Sequence, residues 1–512
     1  MHRLAGIPIV AWLLGFASTA LAANMSVDAM TNQRSSPQLD TDRDGLPDTP
    51  FIPMAYSLNP KSLQSPTLAD QRVNCLHLWN WNASTDLRAL SRAGYKLILN
   101  PFMSDLGLNK YYAYDCGAQQ YKVSKAAFTR FFADTVLALI EADTLVEQSV
   151  IGWSLDDEPN IDVMATCPAG KPHLKRAEDM RVFYDVIKNS SDARYREVYL
   201  NIAGSAQEKP NPFVEFAGCC DVLTNTVGEF RNCCGFDRYW WPGFTARTLG
   251  GLPETAAKPF FYVMWTFGPC RNVASASDSC PGTVVADKHW ALHVCGVDAR
   301  CGRAKDYKTP PRTLDGIPYA IYWPSYHDLR YMSYSGLLAG SRGLMYWHWG
   351  ESKCCSPDTT SRNMTAALLS ELQDGALREN VPSILSVLGG WVTDSSDRWS
   401  CSQDGIASCR ADSLRQRPAL DQINYFVAYD PDSLGASGAP VRWILIAVND
   451  CGDAAPGVVF GAPTSIGSVR LVPGQYDQYT QGGNIVVTGG RFSDDFAPWD
   501  VRVYEVTADE SH

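Results

Sequence analysis

Residues 149–160 read Ser-Val-Ile-Gly-Trp-Ser-Leu-Asp-Asp-Glu-Pro-Asn, an apolar run that ends in three consecutive acids. The apolar part, Val150 to Leu155, is typical of a parallel strand that is covered on both faces. Pro159 lacks a backbone N–H and so ends the strand pairing. The stretch therefore predicts a buried strand that delivers carboxylates to one edge of a sheet.

The three acids at the end of this strand are Asp156, Asp157 and Glu158. Because side chains alternate along a strand, Ser154, Asp156 and Glu158 are predicted to share one face, with Asp157 on the other. Clustered carboxylates occur in active sites, and they also occur in structural networks and solvated loops. The stretch alone favours neither interpretation.

Short apolar runs alternate with helical patterns from Phe51 onward, which predicts an α/β fold. The eight candidate strands are Phe51–Tyr56, Val73–Trp79, Tyr95–Asn100, Val150–Leu155, Glu197–Ile202, Asp221–Thr226, Phe260–Trp265 and Gly343–Trp349. Eight strands are the number of a (β/α)8 TIM barrel, predicted for residues 51–390. No Gly-rich phosphate fingerprint follows the first strand, which argues against a Rossmann fold.

Two helices between these strands have clear patterns. Ser124 is a candidate N-cap, and Tyr326 to Leu338 forms a helix before the eighth strand. The apolar face of the first helix has helical spacing and comprises Phe128, Phe131, Phe132, Val136, Leu139 and Ile140.

Residues 391–512 show a different pattern of short strands with regular turn signals, which predicts an antiparallel β-sandwich. The candidate strands are Tyr425–Tyr429, Val441–Val448, Val458–Phe460, Ser468–Leu471, Asn484–Thr488 and Val501–Val506. This region has no paired acids with supporting bases. We expect it to pack against the barrel.

The N-terminal residues 1–22 have the basic, apolar and small-residue regions of a secretory signal peptide, with cleavage expected before Ala23. No later apolar run is long enough to span a membrane. A formal net charge of −11 argues against nucleic acid as a partner. We therefore expect a secreted or periplasmic protein that has no membrane partner and is a monomer.

All 16 cysteines follow the signal peptide, and an oxidising compartment favours disulfides over a metal site. Adjacent pairs occur at Cys219-Cys220, Cys233-Cys234 and Cys354-Cys355, without the spacing of zinc ligands. Short loops could be closed by Cys270 with Cys280, Cys295 with Cys301 and Cys401 with Cys409. The cysteines are predicted to be mostly disulfide-bonded, especially between Cys219 and Cys301, and the pairing stays open.

A polar linker at residues 23–50 contains alternating acids at Asp40, Asp42, Asp44 and Asp48. Asp residues at this spacing around a Gly resemble calcium loops of EF-hands and of thrombospondin type 3 repeats, although the distal Glu of an EF-hand is missing. A structural calcium site and an ordinary Asp-rich turn both fit these residues. Catalysis is expected to require no cofactor.

Polar and aromatic residues lie at or just after the carboxyl ends of several predicted strands. They are Trp79, Trp81, Asn100, Asn225, Trp265, Trp347, His348 and Trp349. Barrel enzymes carry their chemistry at the carboxyl ends of the strands. Aromatic faces beside carboxylates suit sugar rings, although a single Trp is more often part of a core. These residues are therefore candidates for binding a carbohydrate substrate.

Three segments resemble the large clan of retaining (β/α)8 glycoside hydrolases. The segment Gly152-Trp-Ser-Leu-Asp-Asp-Glu158-Pro159 resembles the fourth-strand acid/base segment, where a Glu often precedes Pro. Residues 330–347 are similar to the last helix and strand of these barrels. Residues 492–504 resemble the closing strand of the accompanying β-sandwich. The resemblance implies a glycosidase in which Glu158 is the general acid/base, with a pKa raised by nearby acids and aromatics.

The chain departs from this clan at the seventh strand, where Tyr262-Val-Met-Trp-Thr-Phe-Gly268 lacks the nucleophilic Glu. Glu351, just after the eighth strand, is the preferred second carboxylate, with Glu229 and Asp237 as rivals. Asp156 with Glu158 is a further alternative, resembling the Asp-x-Glu pair of chitinase-like barrels. The last alternative is a non-catalytic carbohydrate-binding or surface protein on a barrel scaffold.

Overall fold

The computed structural model describes parts of the predicted barrel and of the predicted β-sandwich, beginning at Ile52. The described residues are 52–58, 75–104, 107–161, 163–166, 172–190, 196–203, 211–227, 249, 252–255, 258–265, 268–271, 312–314, 317–322, 326–338, 341, 343–347, 367–372, 384, 392–394, 399–402, 423–449, 454–472, 474, 482–497 and 499–509. The predicted signal peptide, the Asp-rich loop and Glu351 lie outside these residues.

The predicted barrel is confirmed: eight parallel strands pair side by side and close on themselves. The first strand pairs with both the second and the eighth, which completes the ring. Each strand lies within a few residues of its prediction. In chain order the strands are Ile52–Leu58, Cys75–Leu78, Lys96–Leu99, Val150–Asp157, Glu197–Ile202, Val222–Val227, Phe260–Trp265 and Gly343–Trp347.

Helices cover the outside of the barrel, and polar residues at their starts explain where several begin. Asp86, Asp143 and Asn211 each accept a hydrogen bond from a backbone N–H in the first turn of the following helix. The described α-helices with defined bounds are Leu87–Arg92, Lys125–Phe131, Ala138–Glu141, Thr144–Ser149, Ala177–Asn189, Pro212–Phe216 and Tyr326–Leu338. Short 3₁₀ turns lie at Leu108–Lys110 and Ala217–Cys219.

The predicted helix after Ser124 is present but contains a wider turn. The α-helix Lys125–Phe131 continues as a π-helix, Phe132–Leu137, before α-helical geometry returns at Ala138. The predicted apolar face is correct, because its members are buried or pack partly buried against the core. Ser124 lies at the N-cap position, but its side chain makes no capping hydrogen bond.

Two apolar layers hold the barrel together. The lumen cluster, which lies inside the ring of strands, comprises Cys75, Ile98, Ile151, Tyr199, Val222, Phe261, Val263 and Met345. The alternate side chains of the same strands pack outward against the helices in a larger core. Membership of one cluster or the other therefore tells which way a strand residue points.

The C-terminal strands form two antiparallel sheets, as predicted for a β-sandwich. The six-stranded sheet comprises Val392–Thr393, Ile423–Tyr429, Arg442–Asn449, Val501–Ala508, Ile466–Val472 and Gly483–Ile485. The four-stranded sheet comprises Ser400–Ser402, Ala455–Gly461, Arg491–Phe496 and Val487–Thr488. The strand Arg491–Phe496 was not among the predicted strands.

The strand Arg442–Asn449 shows why part of the sandwich is apolar on both faces. Trp443 and Leu445 belong to the core between the two sheets. Ile444 and Ile446 belong instead to the core that includes the barrel helices. The six-stranded sheet is thus buried on both sides, and the expected packing of the sandwich against the barrel is confirmed.

Two β-hairpins lie at the carboxyl-terminal rim of the barrel. The first rim hairpin, Tyr112–Asp115 with Gln120–Val123, follows the third barrel strand. The second rim hairpin, Val163–Thr166 with Pro172–Leu174, follows the fourth. Along the chain, a further antiparallel sheet comes after the seventh barrel strand and before the eighth. Its strands are Gly268–Arg271, Arg312–Leu314 and Ile317–Tyr322.

The state of the described cysteines differs in part from the disulfide prediction. Cys116 is disulfide-bonded. Cys75, Cys219 and Cys220 carry free thiols, so the prediction of bridges beginning at Cys219 is wrong. Cys75 faces the barrel lumen, and burial raises the pKa of the Cys219 thiol to about 12. These three thiols serve as small apolar groups of the core.

Among the residues that the structure describes, no helix is long and apolar enough to cross a membrane.

Candidate active site

The fourth barrel strand contains a β-bulge just before its acids. Ser154 pairs with Tyr199 of the fifth strand, whereas Asp156 pairs with Leu200, so Leu155 is an extra residue. A bulge adds one residue and reverses the alternation of the side chains that follow. The predicted grouping of Ser154 with Asp156 is therefore wrong.

The bulge decides which acid points into the lumen. Asp157 is in register with Asn201, two residues after Tyr199 of the lumen cluster. Asp156 is in register with Leu200, which packs against the helices. Asp157 thus faces the lumen, and Asp156 faces the helical layer.

Asp156 forms a buried ion pair with Lys175, the residue that follows the second rim hairpin. The ammonium Nζ of Lys175 lies 2.7 Å from Oδ2 and 3.0 Å from Oδ1 of Asp156. Only 6% of each side chain is exposed. Asp156 Oδ1 also accepts a hydrogen bond of 2.9 Å from the backbone N–H of Asp157. Asp156 is therefore held inside the protein, on the side away from the lumen.

Asp157 begins a row of polar side chains across three neighbouring strands. Asn201 Nδ2 donates to Asp157 Oδ1 at 2.6 Å, and Thr224 Oγ1 donates to Asn201 Oδ1 at 3.2 Å. Thr224 is in register with Asn201, so all three lie at the same level of the barrel. The carboxyl-terminal end of the lumen is consequently polar at the fourth, fifth and sixth strands.

Glu158 lies at the end of the fourth strand in a left-handed backbone conformation, with φ of 54°. Residues other than Gly seldom adopt this conformation, which is a feature of many functional sites. The N–H of Glu158 donates to the carbonyl of Asn201 at 2.9 Å, and its carbonyl accepts from the N–H of Ile161 at 3.0 Å. Glu158 is half-buried and lies at the boundary between the barrel and the rim. The positive φ also ends the strand alternation, so Asp156 and Glu158 do not form a regular one-face pair.

Asn160 fixes the loop that follows Glu158. Its Nδ2 donates to the carbonyl of Ala203 at 2.8 Å, and its Oδ1 accepts from the N–H of Ala203 at 3.0 Å. These two hydrogen bonds join the loops after the fourth and fifth strands. Glu158 therefore lies between two fixed points, the Lys175 ion pair and the Asn160 contact.

The predicted sugar-binding residues have different environments. Trp79 is half-buried beside His77, with a ring-centroid distance of 5.7 Å. Burial lowers the pKa of His77 to about 3, so this imidazole is neutral at ordinary pH. Trp79 thus has an accessible part at the end of the second strand.

Trp81, Asn100 and Asn225 instead have structural contacts. Trp81 is buried, and its indole N–H donates to the carbonyl of Asn100 at 2.8 Å. The side chain of Asn100 accepts from the N–H of Phe102 and so fixes the turn after the third strand. Asn225 is in register with Ile202, which packs against the helices, and its Nδ2 donates to the carbonyl of Ile202 at 2.7 Å. All three side chains are buried in these contacts, and their role in binding a substrate stays a prediction.

Other predicted residues are described only in part or not at all. Trp265 and Trp347 are in register on the seventh and eighth strands. His348, Trp349, Glu351, Glu229 and Asp237 lie outside the described residues, as do Asp40, Asp42, Asp44 and Asp48. Within the described part of the chain, no group of three or more His, Cys, Asp or Glu residues is placed to hold a metal ion.

The sequence patterns indicated none of Lys175, Asn201 and Thr224 as site residues. Asn201 is a polar residue that interrupts an apolar run, and that interruption is a signal for a lumen position near a site. Thr224 gave a weaker signal, because it begins a run of three polar residues in its strand. Lys175 gave no such signal, because a single Lys beside a helix start is normally exposed.

The two rim hairpins pack on each other beside this site. Tyr114 of the first stacks on His173 of the second, with ring centroids 3.6 Å apart and an interplanar angle of 15°. Tyr121 donates its hydroxyl proton to the carbonyl of Leu174 at 2.7 Å. The guanidinium of Arg176 lies 4.0 Å from the centroid of the Tyr121 ring. The hairpins thus form one connected wall of the rim.

Several solved structures of glycoside hydrolases are similar to this chain. A glycoside hydrolase family 5 protein from Bacteroides vulgatus has a TM-score of 0.45 and 11% identity, covering 92% of both chains. A GH30 endoxylanase from Clostridium papyrosolvens has a TM-score of 0.41 and 12% identity, covering 90% of this chain and 96% of its own. The GH30 xylanase C from Talaromyces cellulolyticus has a TM-score of 0.43 and 8% identity, covering 90% of this chain and 97% of its own.

No protein-family profile and no curated protein matches the chain. The strand pairing defines the TIM barrel and the two sheets of the β-sandwich.

Proposed function

We propose that this protein is a glycoside hydrolase that cleaves glycosidic bonds in a poly- or oligosaccharide, with Glu158 as general acid/base. The observation that supports this most is the position of Glu158, at the carboxyl end of the fourth strand of a closed eight-stranded parallel barrel. That end is where barrel enzymes carry their chemistry. The sequence resemblance around Pro159 supports the same role.

In this mechanism Glu158 protonates the leaving oxygen of the glycosidic bond as a general acid. It later removes a proton from water as a general base if the enzyme is retaining. A general acid of this kind works best when its pKa is raised toward the working pH. Lys175 offsets the charge of Asp156, which lies on the side away from the lumen.

Asp157 is half-buried at the lumen end and offers a carboxylate for the hydroxyls of a bound sugar, while the buried side chains of Asn201 and Thr224 hold that carboxylate in place. Trp79 offers part of an aromatic surface on which the C–H face of a sugar ring can pack. Glu351 remains the proposed second carboxylate, with Glu229 and Asp237 as rivals. A separation of about 5–5.5 Å from Glu158 would make it the nucleophile of a retaining enzyme, and about 6.5–9.5 Å the base of an inverting one.

The test screens the purified protein against plant, fungal and bacterial polysaccharides, with release of reducing ends as the readout. On the substrate that is cleaved, Glu158→Gln should lower kcat by about 10²–10⁴-fold, because a carboxamide cannot transfer the proton. Glu215→Gln is the control, since Glu215 is exposed on a helix outside the site. A Glu158→Gln variant with full activity would eliminate this role.

A second function is binding without catalysis, and the observation that favours it is the absence of an acid in Tyr262 to Gly268 at the seventh strand. A non-catalytic carbohydrate-binding protein would bind a polysaccharide of the same panel and release no reducing ends. The same screen therefore separates the two functions.

Export to the periplasm or the medium, and a structural calcium ion at Asp40, Asp42, Asp44 and Asp48, are also proposed. N-terminal sequencing of the mature protein should begin at Ala23. Calcium should be retained after gel filtration and lost when the four Asp residues are changed to Asn, because its ligands are oxygen atoms.

A further inference from the structure

Lys175 has an environment that its position in the sequence does not explain. It lies between the second rim hairpin and the helix Ala177–Asn189, and its ammonium group is buried against Asp156. Moving two charges out of water is costly, and a buried ion pair is often no more stabilising than apolar residues of the same volume. A specific geometry is therefore a better reason for this pair than stability.

The pair lies at the bulge, where the direction of the next side chain is decided. Asp156 is the first residue after the extra Leu155, and Lys175 holds it toward the helices. The carboxylate of Asp156 also binds the backbone N–H of Asp157. Lys175 consequently fixes both the side chain of Asp156 and the peptide plane that leads into Asp157.

The next contacts extend this arrangement to Glu158. Asp157 binds Asn201 through its side chain, and Glu158 donates its N–H to the carbonyl of the same Asn201. The left-handed φ of Glu158 is unfavourable for a residue with a side chain and persists only where its surroundings hold it. Release of Asp156 would allow the bulge to relax toward regular alternation, and Glu158 would move with it.

Lys175 is itself anchored on both sides. The carbonyl of Leu174 accepts the hydrogen bond of Tyr121 from the other rim hairpin. Arg176 makes two hydrogen bonds with Asp179, of 2.6 and 2.9 Å. The backbone at Lys175 is therefore fixed by the rim wall and by the helix, so the ion pair connects a rigid frame to the strand that carries Glu158.

We propose that Lys175 is a positioning residue, which sets the orientation of Glu158 by holding Asp156 at the β-bulge. This inference rests on the proposed function. Lys175 touches no reacting atom, and its effect passes through Asp156 and the backbone of the bulge.

The first experiment compares Lys175→Met with Lys188→Met on the polysaccharide that the native protein cleaves. Lys188 is a matched control, because it pairs with Asp221 at the opposite, amino-terminal end of the fifth strand. Lys175→Met should lower kcat by about 10–100-fold with little change in KM, since misplacing a catalytic group by about 1 Å has effects of this size. Lys188→Met should leave kcat unchanged even if it lowers the unfolding temperature.

The double variant Asp156→Asn/Lys175→Met addresses folding. It removes the uncompensated charge and keeps the side-chain volumes close to native, so it should fold even where the single variant does not. It should remain slow, because an Asn–Met contact cannot hold the bulge. Native kcat in either folded variant would overturn the inference while leaving the proposed function intact, provided that Glu158→Gln is inactive.

A crystal structure of the double variant gives a readout that does not depend on activity. The φ of Glu158 should leave the left-handed region, and the distance from Asp157 Oδ1 to Asn201 Nδ2 should lengthen from 2.6 Å. Unchanged values of both would overturn the inference, whatever the substrate screen finds.

Discussion

Gly152 is the one residue of the fourth strand whose missing side chain the fold requires. A Cβ atom there would lie 2.5 Å from Cε2 of Tyr199 and 2.8 Å from the carbonyl oxygen of Glu197. Tyr199 belongs to the lumen cluster, and the backbone oxygen of Glu197 cannot move aside easily. Gly152 therefore leaves space for the Tyr199 ring beside the backbone of the fourth strand.

Gly152→Ala should lower the free energy of unfolding by about 1–3 kcal/mol, the usual effect of forcing extra volume into a packed core. Denaturant unfolding followed by tryptophan fluorescence measures this. Gly483→Ala is the matched control, because no atom lies within 4 Å of its added Cβ, and its effect should be below about 0.5 kcal/mol. Equal effects of the two substitutions would contradict the packing argument.

Glu197 makes stability depend on pH near neutrality. Burial, together with the charge of Asp221, raises the pKa of Glu197 from 4.5 to about 7. Asp221 is held beside Glu197 by the hydrogen bonds that it accepts from Tyr184 and Lys188.

Because the folded protein binds the proton of Glu197 more tightly than the unfolded chain, this contribution to stability is complete below about pH 4.5. It is lost as the pH rises through about 7. The free energy of unfolding of native protein minus that of Glu197→Gln should therefore fall between these pH values. Urea unfolding across this range tests it, with Glu215→Gln on the exposed helix surface as the control. A difference that rises with pH would have the wrong sign.

At the scale of single elements, the sequence was sufficient for the barrel strands but not for the bulge. Val150 to Leu155 is apolar because the strand is covered on both sides, and that property survives an inserted residue. Leu155 fits a regular strand and a bulged one equally well. The directions of Asp156 and Asp157 depend on pairing with the fifth strand, and on a Lys 19 residues away.

The same limit applies to the predicted sugar-binding residues. Trp81 and Asn100 both follow strand ends, as binding residues do, but they bind each other and hold the turn between two strands. Composition cannot separate these roles, because a Trp at a strand end fits both. Asn201 is the converse case: it lies within a strand, yet its amide contacts the acid at the rim.

The turn from Glu158 to Ile161 is the element on which the site depends most, and Asn160 is its distal anchor. Asn160→Ala removes both hydrogen bonds to Ala203, at a cost of about 1–3 kcal/mol for the pair. Hydrogen exchange measured by mass spectrometry should be faster in the peptide that contains Ala203. Asn189→Ala, which removes one exposed hydrogen bond within a helix, should leave that peptide unchanged. Unaltered exchange in Asn160→Ala would contradict the anchoring role.

At the scale of the whole molecule, the helix Tyr326–Leu338 joins the barrel to the sandwich through a buried acid. Glu371 accepts hydrogen bonds from Tyr326, from Arg330 Nε at 2.8 Å and from Tyr334 at 2.6 Å. Arg330 also donates to the carbonyl of Val501, in the sandwich strand Val501–Ala508, at 2.6 Å. A single apolar core includes side chains of both parts.

This connection predicts that barrel and sandwich unfold in one cooperative transition. Glu371→Gln leaves the charge of Arg330 buried without its anion, and the loss should be about 3–5 kcal/mol, the range for breaking one partner of a buried pair. Calorimetry should show one transition at a lower temperature. The double variant Arg330→Met/Glu371→Gln should recover much of the loss, because no unpaired charge remains.

Glu505→Gln is the control for this prediction. Glu505 pairs with Arg442 and Arg470 on the sandwich, where all three side chains are more exposed than Glu371, so its loss should cost only about 0–1 kcal/mol. If Glu371→Gln instead splits the transition in two, with one part unchanged, the barrel and the sandwich would be independent units. A single transition that moves as a whole is expected if Arg330 and Glu371 add to the coupling that the shared apolar core provides, since the same guanidinium contacts the acid and the sandwich backbone.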